Sequence, residues 1–277
     1  MSWAQICGDL KDEAAALRAL LEQAHPDPEA ETPFNGWRVR DCIGHMVLID
    51  QLAIAAFTDL DVFTERRNRF AEGTAVGPGR PADNYRRMNA HERSELDHLS
   101  WGEMLATWAA GLSKLCEAAA AKPDDVRVPW FATPMRGTSL INARQMEVWA
   151  YGQDVFDLAR RRRPEADRIR NVAEFAIRVM GFSFANRGLP APDPKPYIEL
   201  TGPSGAVWTW NAPDAGVSIR GPAEDLCLVA TQRRNVADTA LVVEGETART
   251  WMRIAQCVAG PPNDGPAPGE RDVIYPD

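Results

Sequence analysis

The chain has 277 residues, 45% of them hydrophobic and 25% charged, which is the balance of an ordinary soluble globular protein with length for one large domain or two smaller ones. Its formal net charge of −8 argues against a nucleic-acid-binding surface, which needs an excess of Lys and Arg, but leaves room for a local basic pocket that takes an acidic small molecule. The five cysteines (Cys7, Cys42, Cys116, Cys227 and Cys257) are far apart and form no Cys-x-x-Cys, so a disulfide framework or zinc–thiolate site is disfavoured and Cys42 reads as a buried structural thiol.

No basic segment followed by an apolar stretch opens the chain, and no run of 18 apolar residues occurs, so a cytoplasmic, reduced protein is expected. Lysine is confined to Lys11, Lys114, Lys122 and Lys195; the strong preference for arginine suits a GC-rich genome.

Residues 2–23 carry Leu10, Ala14, Leu17, Leu20 and Leu21 at helical spacing and are predicted to form an amphipathic helix. A proline-rich loop follows over 25–36. A second helix is predicted from Val39 to Thr58, with Asp41 in its first turn, where a carboxylate suits the helix dipole. Residues 70–83, with Gly73, Gly77, Pro78, Gly79 and Pro81, read as a loop or lid. Helices are predicted over 84–98 and 101–121, a connecting loop over 123–134, a long helix over 139–161 ending in basic residues before Pro164, and another helix over 165–187.

The character changes at Pro190, where Pro190, Pro192, Pro194 and Pro196 alternate as an extended linker. Short alternating runs at 197–201, 206–210 and 216–220 read as strands, with Ser204-Gly205 as a hairpin signal. A helix over 222–234, a strand over 239–244 and a helix over 246–259 complete a small α+β domain. The tail 261–277 is rich in Pro and Gly and is expected to stay partly unfolded unless Tyr275 docks it. The expected layout is a helical domain over 1–190, a small α+β domain over 191–260 and a tail over 261–277.

On the long helix, Glu147 and Tyr151 are four residues apart and Asp154 is seven from Glu147, so the three make a polar stripe on one face. Val148, Val155, Phe156 and Leu158 give the same helix enough apolar surface to pack in a bundle, and bundles build their sites from polar residues facing inward. His45 lies in the second helix, one turn after Asp41. If the two helices face each other, His45 and Glu147 converge.

These residues also carry a resemblance. The segment around His45 (Gly36-Trp37-Arg38-Val39-Arg40-Asp41-Cys42-Ile43-Gly44-His45) and the helix Glu147-Val148-Trp149-Ala150-Tyr151-Gly152-Gln153-Asp154 resemble the DinB-like four-helix-bundle superfamily, in its mycothiol-dependent maleylpyruvate isomerase branch. Val128-Pro129-Trp130 and Ile254-Ala255-Gln256-Cys257 extend the likeness to an actinobacterial subgroup. The resemblance implies an α+β protein: a DinB-like helical bundle followed by a small α+β domain. It implies a metal held by an early histidine and a later Glu-x-x-x-His pair, with mycothiol as co-substrate in an isomerisation or thiol transfer. Here the second histidine position holds Tyr151.

The expected metal ligands are therefore His45 and Glu147, for a divalent ion such as Zn or Ni. One imidazole and one carboxylate hold such an ion weakly, and a Tyr151 phenolate is costly at neutral pH. Loss of the metal through the Tyr151 replacement is the other outcome. Three functions are open: a metal- and thiol-dependent isomerase or transferase; a metal-free isomerase, cyclase or lyase using Tyr151, Glu147 and His45 for acid–base chemistry; or a binding protein without chemistry.

Arg144 is the expected fork for a substrate carboxylate, with Arg233 and Arg234 as lesser candidates; Asp154 and Trp130 are further substrate-side candidates. Trp130 and Phe131 sit just before the site helix and could roof a pocket. His91 and His98, among Glu92, Arg93, Glu95 and Asp97, read as a solvated helix face, and His25 as a loop residue. No phosphate loop, dinucleotide turn or nucleophile elbow occurs, which disfavours NTPase, dinucleotide-dependent and serine-hydrolase functions. The expected partner is a small molecule, with no nucleic acid or membrane, for a monomer or homodimer.

Overall fold

Helix starts follow local capping chemistry. Ser2 accepts from the amide of Gln5 ahead of α1 (Trp3–Ala24). Asp41 accepts the amide of Arg38 at 2.7 Å at the start of α2 (Val39–Thr58). Ser100 and Glu103 form a capping box at α5 (Trp101–Ala120). The computed structural model describes residues 2–73, 81–131, 133–213, 216–271 and 275.

Between α2 and α5 lie α3 (Leu60–Gly73) and α4 (Pro81–Leu96). Both ends of the loop expected over 70–83 are thus helical, and its centre, 74–80, lies outside the described residues. The sequence hides α3 because its apolar surface is thin: Leu60 and Val62 are exposed, and Phe63 supplies the burial. Within the expected 123–134 loop, β1 (Arg127–Val128) pairs antiparallel with β2 (Met135–Arg136), which delivers the chain to α6 (Gly137–Ala159).

The chain forms two compact units, Met1–Arg161 and Arg162–Asp277. In the first, α1 and α2 each pack against both α5 and α6, which closes a four-helix ring; α3 and α4 pack on each other and on α2. Leu10, Leu17, Ile43, Trp108, Leu115, Leu140 and Val148 fill its core. By length and composition α2 is apolar enough to cross a membrane, yet 72% of that stretch is buried in the protein, and its buried residues include Asp41, His45 and Asp50.

In the second unit, α7 (Ile169–Arg178) and α8 (Met180–Ala185) precede β3 (Tyr197–Thr201), β4 (Val207–Trp210), β5 (Ser218–Pro222), α9 (Ala223–Ala230), a 3-10 turn (Val236–Asp238), β6 (Val242–Glu244) and α10 (Glu246–Ile254). The sheet order is β4-β3-β5-β6. β3 runs antiparallel to β4 and parallel to β5, with Tyr197 opposite Ser218; β5 and β6 are antiparallel. The helix expected over 165–187 is broken at Val179 (φ −91°, ψ 12°). The bend gives its halves different partners: α7 packs on α9, and α8 on α10.

Those contacts also move the boundary expected near residue 190. The compact units part between Arg161 and Arg162, just after α6 ends in the left-handed Arg160 (φ 51°). The alternating prolines are therefore a connection inside the second unit. The tail is tied down as well: Arg234 Nη2 lies 3.2 Å from the Tyr275 hydroxyl, and the Arg162 guanidinium sits over the Tyr275 ring.

Gly137 opens α6 where a Cβ would come within 2.8 Å of the Trp3 ring and 2.9 Å of the Phe57 ring. Gly8 lies inside α1 with nothing within 4 Å of its added Cβ. Gly8→Ala should stabilise the protein by about 0.5–1 kcal/mol through helix propensity. Gly137→Ala should destabilise it by about 1–3 kcal/mol through overpacking. Urea unfolding midpoints of the two variants check the opposite signs.

Candidate active site

α2 carries Asp41, His45 and Asp50 into the bundle, all buried. On α4, Tyr85, Asn89, Glu92 and Leu96 recur at helical spacing and are likewise buried, so this stripe faces inward with polar members. Gly44 brings the two helices close: a Cβ there would lie 2.9 Å from Leu96 Cδ1. Asp41 ties them together, accepting from Arg93 Nε at 2.7 Å, Arg93 Nη2 at 2.5 Å and Asn89 Nδ2 at 3.1 Å. These donors hold the Asp41 carboxyl below the usual range although burial alone would raise it. α6 brings Arg144, Glu147 and Tyr151 to the same place.

His45 stands between two carboxylates. Its Nδ1 is 2.8 Å from Glu92 Oε1, and its Nε2 is 3.2 Å from Glu147 Oε2. Arg144 donates from Nε to Asp50 Oδ1 at 2.8 Å and from Nη1 to the same Glu147 Oε2 that faces His45. The result is a continuous chain, Glu92–His45–Glu147–Arg144–Asp50, across α4, α2 and α6. Its side chains are 0–7% exposed except Glu147, at 19%, so Glu147 is the member that faces outward.

The charges in this chain sustain each other. Burial by itself would lower the pKa of His45; the charges of Glu92 and Glu147 and their hydrogen bonds overcome it and raise the imidazole from 6.5 to about 9. His45 is therefore an imidazolium at neutral pH. Burial would raise Glu147, but the Arg144 charge and the contact with His45 bring it from 4.5 down to about 2. Asp50 is raised by burial against the pull of Arg144. Arg144 is pushed down by burial and, on balance, up by Glu147 and Asp50.

Aromatic rings surround this network. Tyr151 lies flat on Trp37, with ring centroids 5.3 Å apart and planes 4° apart, and its centroid is 4.9 Å from that of His45. Phe34 meets the same ring edge-on. On another side, Phe70 is 6.4 Å from His45, Phe131 packs on Phe70, and Trp130 on Phe131 and Phe63. A narrow cleft with a cavity volume of about 10 Å³ reaches His45 and Glu92 and is lined also by Arg40, Arg93 and Asp97.

The fold thus brings His45, Glu147 and Tyr151 together, with Trp130 and Phe131 on the nearby aromatic wall. Arg144 joins them in a setting that differs from the expected one: its guanidinium is wholly buried and spent on Asp50 and Glu147, so it is no open fork for a substrate carboxylate. Asp154 is wholly buried, two turns further along α6. Arg233 and Arg234 are also buried, their Nη1 atoms donating to the carbonyls of Thr231 and Arg233. Of the solvated face expected around His91, the Glu92 member is instead the partner of His45, and His98 lies beyond the end of α4. Glu92 and Asp50 are the site residues that sequence reasoning missed. The stripe Tyr85–Asn89–Glu92–Leu96 at helical spacing is the sequence signal that marks Glu92 as inward-facing.

The donor set does not fit a divalent metal. A catalytic zinc-type centre is held by about three protein ligands, each in its deprotonated form. Here His45 and Glu147 supply one imidazole and one carboxylate, the Glu147 oxygen that faces the ring is also held by the Arg144 guanidinium, and the neighbouring Tyr151 is stacked on tryptophan. Among the described residues, no group of three or more His, Cys, Asp or Glu side chains is arranged to hold a metal ion.

The model of the mycothiol maleylpyruvate isomerase N-terminal domain matches residues 10–156. An uncharacterized protein of Mycobacterium tuberculosis, recorded from two strains, is 35% identical over 258 residues, which cover 93% of this chain and 96% of that protein. The crystal structure of the mycothiol-dependent maleylpyruvate isomerase matches with a TM-score of 0.51 at 12% identity, over 84% of this chain and 90% of that one; a mutant of it gives 0.50. At that identity the structural likeness speaks for the fold, the α+β arrangement with a DinB-like bundle. With more than half of its length matched by the family model, the chain belongs to the mycothiol maleylpyruvate isomerase N-terminal domain family.

Proposed function

We propose that this protein is a cytoplasmic small-molecule enzyme, an isomerase or group transferase, in which His45 and Glu147 form the acid–base pair. The observation that carries this reading is the meeting of four displaced ionisable groups (His45, Glu147, Asp50 and Arg144) in one network that is partly exposed at Glu147. Groups displaced by burial and by specific charged partners gather at functional sites.

At rest the transferable proton sits on His45 Nε2, facing Glu147. An anionic group that displaces Glu147 from Nε2 either receives that proton or is held by the imidazolium charge. A thiolate is such a group, since a neighbouring cation lowers a thiol pKa. A low-molecular-weight thiol of the mycothiol class, named in the solved relative, is accordingly part of this proposal. Glu92 on Nδ1 fixes the ring and compensates its charge, which makes it a positioning residue. Trp130, Phe131 and Phe70 give the carbon skeleton of the substrate an apolar wall. Tyr151 acts through His45, because its ring is pinned between Trp37 and the imidazole. Neither nucleic acid nor membrane has a part in this reading, and a monomer or homodimer suffices.

Turnover of maleylpyruvate and related cis-unsaturated keto acids, assayed with and without mycothiol, tests the reading. Thiol-dependent isomerisation is expected, with His45→Gln and Glu147→Gln each slower by about 10²–10⁴. Wild-type rates in both variants would move the chemistry elsewhere. Tyr151→Phe removes only the hydroxyl and should keep kcat within about tenfold, with an unchanged pH profile, because it takes away no group that exchanges a proton with substrate. A loss as deep as that of Glu147→Gln would instead make the hydroxyl a proton donor.

Stability should report the protonation states directly. The folded pKa of His45 is raised from 6.5 to about 9, so its contribution is complete below pH 6.5 and is lost as pH rises through 9. Glu147 is lowered from 4.5 to about 2, so its contribution is complete above pH 4.5 and is lost as pH falls towards 2. Melting temperatures should hold level between these limits and fall from about pH 6.5 to 9. His45→Gln should flatten that alkaline fall; an equal fall in both proteins would mean that His45 is neutral in the folded state.

A further inference from the structure

We infer that Arg144 is the built-in cation of this site, occupying with its own guanidinium the electrostatic place that a divalent metal takes in a His/Glu-x-x-x-His centre, and that it keeps metal out. The inference rests on geometry and is independent of which reaction the protein catalyses.

Three observations carry it. Arg144 and Glu147 are three residues apart on α6, so the guanidinium lies on the same helix face as the carboxylate, and Nη1 binds Glu147 Oε2. That oxygen is the one that faces His45 Nε2 at 3.2 Å, so guanidinium and imidazole converge on the atom through which an ion would be shared between His45 and Glu147. Arg144 is 0% exposed and anchored from behind by Asp50, so it cannot swing out to solvent to make way. Its Nη2 is buried with no hydrogen-bond partner among the described residues, a donor left over in a site that would otherwise hold acceptors around an ion.

The identity of the residue matters as much as its charge. A guanidinium is planar and stays protonated, and its fork bridges two carboxylates on different helices; a lysine ammonium could serve only one of them with comparable geometry. The replacement at position 151 follows the same logic. The tyrosine ring packs on Trp37 and His45 without needing an ion.

The test is direct metal binding to chelator-treated full-length protein, by calorimetric titration with Zn²⁺ and Ni²⁺. Four proteins are compared: wild type, Tyr151→His, Arg144→Met and Arg144→Met with Tyr151→His. Wild type should bind weakly, and Tyr151→His alone should gain less than about tenfold, because the guanidinium still opposes the ion and holds Glu147. The double variant should gain at least about a hundredfold over Tyr151→His, since a unit charge is removed from the first neighbour of the ion. Arg144→Met leaves Asp50 buried without its partner; if it does not fold, adding Asp50→Asn carries the same comparison. Arg144→Lys with Tyr151→His, which keeps the charge, should stay near Tyr151→His. The inference is overturned if wild type retains a stoichiometric ion after dialysis against chelator, if Tyr151→His alone reaches the affinity of the double variant, or if removing Arg144 leaves affinity unchanged.

Discussion

The contact on which the first unit depends is the pair of bonds that Arg144 makes to Asp50 and Glu147 inside the bundle. An ion taken from water into a protein interior costs several kcal/mol unless its partners are in place. Five ionisable groups are desolvated together here, and each is tolerable only because its neighbours are charged and within hydrogen-bond reach. The network therefore constrains geometry more than it adds stability. Rotating α6 by one residue, about 100°, would swing Glu147 and Arg144 away from His45 and Asp50 at once. α2 and α6 are locked in register by charge as well as by packing, and α4 is locked to them through Glu92. Removing one member strands the others, which in buried pairs costs about 3–5 kcal/mol.

Much of this was legible in the sequence. The polar stripe of Glu147 and Tyr151 stands out because the rest of the helix is apolar, and four-residue spacing places both on one face. His45 stands out as an isolated imidazole in an apolar stretch. Asp50 is equally isolated in that stretch but had no spacing partner, since its partner is on another helix. Glu92 was masked by its neighbours: in a window that also holds His91, Arg93, Glu95 and Asp97, a buried carboxylate cannot be told from a solvated one by composition. Only the recurrence of Tyr85, Asn89 and Leu96 around it reveals the inward face. Arg144 was singled out, but its burial was not, because an arginine beside a polar stripe reads as its solvent end. The proline alternation signals a change of backbone character but does not locate the boundary between the compact units, because a linker and an internal connection have the same composition.

The tyrosine at position 151 couples the polar site to the aromatic packing around it. Its ring stacks on Trp37, meets Phe34 edge-on and lies tilted against His45. Aromatic pairs of this kind contribute about 0.5–1.5 kcal/mol each beyond the area they bury. The imidazole is thereby held by dispersion on its faces and by carboxylates on its two nitrogens.

Asp41 has one more consequence. Its carboxylate receives the amide that opens α2 and both Arg93 and Asn89 of α4, so it fastens the two helices together beside the site. The placement of Glu92 is therefore set by a local clamp and by the close approach at Gly44. A change that loosens this clamp at Asp41 or Arg93 is felt at the imidazole through the position of Glu92.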